Sequence, residues 1–159
     1  MKKKGLIIVI LLLLVGIQFV PVDKTNPRVK PYLNYVSVTD APREVEEIIK
    51  RSCYDCHSNE TKYPWYANVA PMSWVIKSHV DKGREELNFS EWGNYPEEEA
   101  KQKQKECFIE ITNASMPKTT YTILHSKAKL TSDQVLLLQK WFTSQKKEKP
   151  KSQPYEMSV

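Results

Sequence analysis

Cys53, Cys56 and His57 form a group of residues whose types and spacing predict a specific chemistry. The two thiols stand three positions apart, and the imidazole follows the second thiol directly. Thiols at this spacing can add to the two vinyl groups on one edge of a haem, and the adjacent histidine can then reach the iron. C-x-x-C-H is the sequence signal for c-type haem attachment. We therefore expect one covalent haem c, with thioethers at Cys53 and Cys56 and with His57 as the proximal iron ligand.

Three other uses of the motif stay open at this point. A structural zinc site needs about four nitrogen or sulfur ligands, and the motif offers three at most because Cys107 stands alone. A thioredoxin-like dithiol is expected after a strand in a βαβ context, whereas the segment before Cys53 has a helical pattern. A disulfide between Cys53 and Cys56 would close a very small loop and would leave His57 without a role.

The sixth iron ligand decides whether a haem carries electrons or binds a further ligand. Met116 is the expected distal ligand, because it lies with Pro117 in a polar loop, "NASMPKTTY", downstream of the motif. His79 and Met72 are weaker alternatives, and His125 is weaker still. Each of these side chains has a plainer interpretation, since a methionine often fills a gap in a core and a half-buried histidine often bonds a carbonyl.

Helical periodicity dominates the rest of the chain. Val45, Ile48 and Ile49 share one face of a helix that Thr39 or Asp40 could cap. Further helices are predicted to begin near Ser73, near Pro96 and after the capping box "TSDQ" at 131–134. Alternating strand patterns are absent apart from the short "YLNYVSV". The sequence therefore predicts an all-α fold of about four helices.

The N-terminus predicts export. Three lysines precede the apolar run from Gly5 to Val22, as in an export signal, and no small-residue cleavage site follows this run. We expect an uncleaved signal anchor at 1–22 that crosses the membrane, with a cleaved signal peptide as the alternative. Residues 23–40 are predicted to be an extended tether, 41–145 the haem domain and 146–159 a disordered basic tail.

Charge argues against a nucleic-acid partner. The formal net charge is +5, of which the lysines at 2–4 contribute three and the tail contributes two. The part of the chain between them is neutral overall, and a nucleic-acid-binding domain is typically basic.

The chain resembles the bacterial haem-binding domain family of exported proteins with a single C-x-x-C-H. The residues that carry the resemblance are "CYDCHSNETKYPWYANVAPMSWVIKSHVDKGREELNFSEW" at 53–92, "SMPKTTYTILHSKAKLT" at 115–131 and the final "LLLQKWF". The resemblance implies a cytochrome-c-like helical bundle around one covalently attached haem. It also supports Met116 as an axial ligand, and it does not imply a reaction.

These observations together predict a membrane-tethered single-haem cytochrome c that acts as an electron carrier, with no catalytic acid, base or nucleophile identified. It would pass single electrons to redox partner proteins on the periplasmic side of the cytoplasmic membrane. The alternative is a peroxidase-like haem enzyme or a gas or redox sensor, with an open or displaceable sixth position and with His79 or Tyr121 on the distal side. A third possibility is a module in which the haem mainly stabilises a small core. The sequence does not indicate an oligomeric state.

Overall fold

The computed structural model describes residues 2–144 and is built from helices. No strand occurs within these residues, so the predicted all-α class is confirmed. The predicted tail at 146–159 lies outside the described residues. The α-helices are α1 (Lys2–Gly16), α2 (Tyr35–Val38), α3 (Arg43–Ser52), α4 (Tyr54–His57), α5 (Met72–Glu86), α6 (Glu97–Thr112), α7 (Thr119–Thr122) and α8 (Ser132–Ser144). Short 3-10 turns occur at Ile17–Phe19, Pro31–Leu33, Trp65–Asn68, Phe89–Asn94 and Ser126–Ala128.

The four long helices after residue 40 are the ones that the periodicity predicts. The apolar face of α3 is buried as expected, at Val45, Ile48 and Ile49. Helices α6 and α8 pack against each other, and the buried Leu138 of α8 belongs to the same core cluster. The capping box at the start of α8 also forms, since the Thr131 and Gln134 side chains each accept a hydrogen bond from the other residue's backbone N–H.

The prediction for the start of α3 is wrong. Asp40 has a φ of 52° and lies just after α2, where the N–H of Ala41 donates to the carbonyl of Val36. Asp40 therefore ends α2, because a left-handed residue closes a helix C-terminus and cannot also cap the next helix. Pro42 occupies the N-cap position of α3 and makes no side-chain capping bond.

The predicted extended tether at 23–40 is also wrong in its second half. Tyr35 is fully buried, and its ring contacts Phe89 and Trp92 edge to face, with centroids 5.1 and 4.7 Å away. The indole N–H of Trp141 in α8 donates to the Tyr35 hydroxyl at 2.9 Å. Residues 31–33 and 35–38 are thus helical, and Leu33, Tyr35 and Val38 are buried. Burial of the large Tyr35 ring stabilises this arrangement, which the prolines at 27 and 31 do not indicate.

The chain from Gln18 to Asn26, which includes the start of the predicted tether, lies along the domain surface. The Gln18 carboxamide bonds both backbone polar groups of Ala70, at 2.9 and 3.0 Å. Further along, the amide of Asn26 donates to the Thr61 carbonyl, and Arg84 donates to the Asn26 side chain. The stretch from 18 to 26 is therefore attached to the loop and helix that follow the C-x-x-C-H motif.

Helix α1 is apolar and exposed, with side chains such as Leu12 and Leu13 more than 60% accessible. Within residues 2–144, no helix combines the length and apolar character needed to cross a membrane. The predicted membrane-spanning helix at 1–22 is not supported by this structure.

Candidate functional site

The C-x-x-C-H motif forms a tight turn at the end of α3. Cys53 is the C-cap of α3, with its N–H bonded to the Ile49 carbonyl at 2.9 Å. Its own carbonyl then accepts hydrogen bonds from the N–H groups of Cys56 and His57, at 3.2 and 3.0 Å. The single turn of α4 therefore holds both cysteines and the histidine on one short rigid segment. The two thiols are free and half-buried.

Helix α5 packs against this turn at Gly83, so closely that a side chain at this position would clash. A Cβ added to Gly83 would lie 2.5 Å from the carbonyl oxygen of Cys56 and 3.0 Å from its carbonyl carbon. Contacts this short with backbone atoms are not relieved by a side-chain rotation. The close approach of α5 to the motif therefore requires glycine at 83.

The crossing also fixes His57. The Nδ1 of His57 lies 2.8 Å from the Gly83 carbonyl and 3.1 Å from the Leu87 carbonyl. Carbonyl oxygens only accept hydrogen bonds, so Nδ1 carries the proton and Nε2 keeps its lone pair. Burial lowers the pKa of the imidazole, although the two carbonyl bonds act in the opposite direction. The result is a neutral histidine with Nε2 free to bind a metal, held by hydrogen bonds of the kind that orient iron ligands.

The two thiols do not have the properties of a redox dithiol. Burial raises the pKa of Cys53 to about 12 and that of Cys56 to about 11. Reactive cysteines of the thioredoxin type have a lowered pKa, because the thiolate is the nucleophile. Both thiols are therefore protonated at neutral pH, which disfavours the dithiol interpretation.

A cavity of about 470 Å³ opens above the motif and has the size of a small-molecule site. Cys53, Cys56 and His57 line it, and so does Met116 from the segment after α6. The side chains proposed as alternative ligands or distal groups also lie on its wall: Met72, His79, Tyr121 and His125. Every residue that the sequence predicts for the site is therefore brought to one cavity.

The candidates for the sixth ligand lie on different structural elements. Met72 and His79 belong to α5, the helix whose last turn bonds His57, and both are exposed. His79 lies one turn before Gly83, whose carbonyl bonds His57. Met116 is half-buried and comes from a separate segment.

The C-terminus of α6 positions Met116. The Glu110 carbonyl accepts from the N–H groups of Ser115 and Met116, at 2.9 and 3.3 Å, and the Ile111 carbonyl accepts from the N–H of Ala114 at 3.2 Å. Ala114 has a φ of 52°, the left-handed conformation of a helix that closes in a Schellman motif. Met116 is therefore anchored directly to the end of a long helix.

Two side-chain bonds in the cavity wall were not predicted from the sequence. Tyr121 donates its hydroxyl to the Asp55 carboxylate at 2.6 Å, which joins α7 to the middle of the C-x-x-C-H motif. The Tyr66 hydroxyl and the Nε2 of His125 are 2.6 Å apart, and the His125 ring stacks on Tyr121. The sequence around Asp55 does not predict these hydrogen bonds, because the two residues of each pair are far apart in the chain.

Gly83 and Ser52 were also missed as site residues. A lone glycine within a helical stripe is itself a signal of close packing, so Gly83 could have been identified. The hydroxyl of Ser52 lies on the cavity wall, is buried and has no hydrogen-bond partner. A buried polar atom without a partner is costly, and a ligand in the cavity would reduce that cost.

These features fit a haem better than a zinc ion. The cavity has a largely apolar wall, two thiols at one edge and a histidine with a free Nε2, as a flat apolar macrocycle with a central iron needs. Among residues 2–144 there is no cluster of three or more histidine, cysteine or acidic side chains that could hold a metal ion.

Comparison with known proteins agrees with this assignment. A family model described as a haem-binding domain matches residues 12–144. Neither the curated proteins nor the solved structures that were compared with the chain gave a match.

Gly83→Ala tests the crossing of α5 and the motif. We expect the substitution to lower the free energy of unfolding by roughly 2 kcal/mol, because the new methyl group meets the Cys56 carbonyl. The gain in helix propensity of about 1 kcal/mol is too small to compensate. Denaturant unfolding of the purified protein measures the change. Ser78→Ala, at an exposed position of the same helix, is the matched control, and an increase in stability for Gly83→Ala would contradict the tight crossing.

Proposed function

Because the chain belongs to the haem-binding domain family, we propose that the haem it binds is a single covalent haem c and that the protein transfers single electrons outside the cytoplasmic membrane. The observation that carries the proposal is the cavity that Cys53, Cys56, His57 and Met116 share. Redox proteins are the expected partners, and no reaction on a substrate is proposed.

Cys53 and Cys56 would hold the cofactor. Each thiol would add across one vinyl group, so that the sulfur bonds to one vinyl carbon and the proton goes to the other. The half-buried, protonated state of both thiols supports such a permanent attachment over reversible thiol exchange. The short α4 helix keeps the two sulfurs and His57 in a fixed arrangement.

His57 and Met116 would bind the metal from opposite sides. The Nε2 of His57 is free because Nδ1–H donates to Gly83 and Leu87. Met116 would supply a thioether from the distal side, and its attachment to α6 supports a fixed position. The haem iron, when bound, supplies the exchange between ferrous and ferric states, and a histidine–methionine pair favours the ferrous state relative to two histidines.

The haem enzyme or sensor remains the second candidate. The observation that favours it is that His79, an exposed imidazole on α5, lines the cavity. Tyr121 supports it less, because its hydroxyl already donates to Asp55.

Removal of the thiols tests the attachment. We expect the Cys53→Ala, Cys56→Ala double variant to lose haem from the polypeptide under denaturing conditions, because no thioether can form. Haem staining of denaturing gels measures this. Cys107→Ala, which removes a thiol of α6 that does not line the cavity, is the control and should keep the stain. Haem that stays on the chain of the double variant would show that the attachment assignment is wrong.

Removal of the thioether tests the sixth ligand and the function. Met116→Ala should open the iron, lower the reduction potential and let carbon monoxide bind the ferrous protein, because a soft neutral ligand is lost. Absorption spectra and a potentiometric titration measure these changes.

Met72→Ala and His79→Ala are the controls for this experiment and should leave the iron six-coordinate. If His79→Ala opens the iron and Met116→Ala does not, the protein is a bis-histidine cytochrome. If the unmodified protein is high spin and binds carbon monoxide rapidly, the enzyme or sensor function replaces electron transfer.

The location outside the cytoplasmic membrane is proposed from the N-terminal lysines and the apolar run, because c-type attachment takes place on that side. The contacts of Gln18 with Ala70 support a mature protein that keeps this segment. We expect the mature N-terminus to lie before Gln18 and external protease to digest the haem domain in spheroplasts. N-terminal sequencing and cell fractionation measure both. A mature N-terminus near Val22 would show a cleaved signal instead.

A further inference from the structure

A second cavity lies beside the haem cavity. It measures about 610 Å³ and opens between the end of α3, the loop after the motif and residues 121–128. Five residues line both cavities and form their common wall: Asp55, Lys62, Tyr121, Leu124 and His125. We call this second cavity the basic cleft, because it is lined by Lys50, Arg51, Lys62 and Lys127.

The charges of the basic cleft are unbalanced. Its acidic side chains are Asp55 and Glu60, against the four basic ones. Asp55 already accepts hydrogen bonds from the Tyr121 hydroxyl and from the backbone N–H of Lys62, at 2.6 and 3.0 Å. Lys50 is paired with Glu46 on α3.

The other three cations have no such partner. Within residues 2–144, Arg51, Lys62 and Lys127 take part in none of the ion pairs that the structure contains. Their charges face a concave surface of the size of a small-molecule site. An anion in the cleft would be attracted by these three cations without displacing an existing ion pair.

We propose that the basic cleft binds a small multivalent anion, of the polycarboxylate or phosphate class, and that the bound anion shifts the reduction potential of the haem. The coupling rests on the proposed function, since it requires a haem beside the common wall. An added negative charge near the iron stabilises the ferric state, so the anion should lower the potential. By linkage, the ferric protein should then bind the anion more tightly than the ferrous protein does.

The anion and the haem would communicate through Asp55. Its backbone lies between the two attachment cysteines, and its carboxylate faces the cleft and holds Tyr121. An anion beside Arg51 and Lys62 changes the electrostatic environment of this carboxylate. Asp55 and Tyr121 therefore act as positioning residues that connect the two cavities.

Binding and coupling are measured separately on the full-length haem-loaded protein. Titration calorimetry with citrate and with inorganic phosphate, each at constant ionic strength set with chloride, measures binding to the ferric and ferrous forms. Spectroelectrochemistry under the same conditions measures the midpoint potential. We expect saturable binding of at least one probe and a potential that falls to a plateau. The ratio of the two dissociation constants should equal the fold-change calculated from the potential shift.

The variant Arg51→Gln, Lys127→Gln removes two of the unpaired cations. We expect it to bind the anion about tenfold more weakly. The variant loses two exposed ionic contacts, and each contributes below about 1 kcal/mol to binding. Arg43→Gln, Lys105→Gln removes the same charge at exposed positions outside the cleft and should bind as the unmodified protein does. Tyr121→Phe keeps the cleft cations and should retain binding while changing the potential shift.

Four results would overturn the proposal. Absence of saturable binding to either probe would remove the anion site. Equal loss of binding in both charge variants would show that binding depends on the net charge of the protein and not on the cleft. Unaltered binding in the Arg51→Gln, Lys127→Gln variant would place the anion elsewhere. Saturable binding with an unchanged potential would overturn the coupling to the haem. Failure of covalent attachment would instead appear as haem lost from the denatured protein, while saturable anion binding by the protein with haem bound non-covalently would still support the anion site, so the two proposals fail separately.

Discussion

The close crossing of α5 over the C-x-x-C-H turn constrains the rest of the site. With no Cβ at Gly83, the helix comes within van der Waals distance of the Cys56 carbonyl. That distance places the Gly83 carbonyl, and the carbonyl of Leu87 just after α5, beside the Nδ1 of His57. The Gly83 carbonyl accepts from the Leu87 N–H at 2.9 Å and also from the histidine, so the end of the helix and the imidazole share one acceptor. One packing contact thus determines the position of the imidazole, its tautomer and the availability of Nε2.

The part of the cavity wall that carries Met116 is built independently of the motif and is joined to it by a side-chain hydrogen bond. Helix α6 ends in a left-handed residue, Ala114, and the reversed chain carries Met116 into the cavity. Tyr121 then bonds Asp55 in the motif itself. Burial and this bond raise the pKa of the Tyr121 hydroxyl, which remains a hydrogen-bond donor at neutral pH. A short hydrogen bond between a neutral hydroxyl and a carboxylate thus connects two parts of the cavity wall that are distant in the chain.

The sequence is informative where a local pattern determines the structure. The motif spacing, the apolar face of α3 and the capping box of α8 each depend on residues within a few positions of one another, and each was predicted. The fold of residues 31–38 was not, because the burial of Tyr35 depends on Phe89, Trp92 and Trp141, which are distant in the chain. Asp40 was misassigned because its residue type suits both a helix start and a left-handed helix end. Met116 could be proposed from its loop, but the cavity around it depends on long-range packing.

The charge of this domain matters through its local arrangement and not through its sum. Residues between the N-terminal lysines and the tail are neutral overall, which predicts weak long-range attraction to any polyanion. Exposed charges more than about 8 Å apart are largely screened at physiological salt, so the local arrangement of charges matters more than their sum. Arg51, Lys62 and Lys127 line one cleft because α3, the loop after the motif and the 121–128 segment converge there. The same convergence brings Asp55 and Tyr121 together beside Cys53 and Cys56. A sequence that is neutral overall therefore gives rise to a local cluster of positive charge beside the cavity that the C-x-x-C-H motif lines.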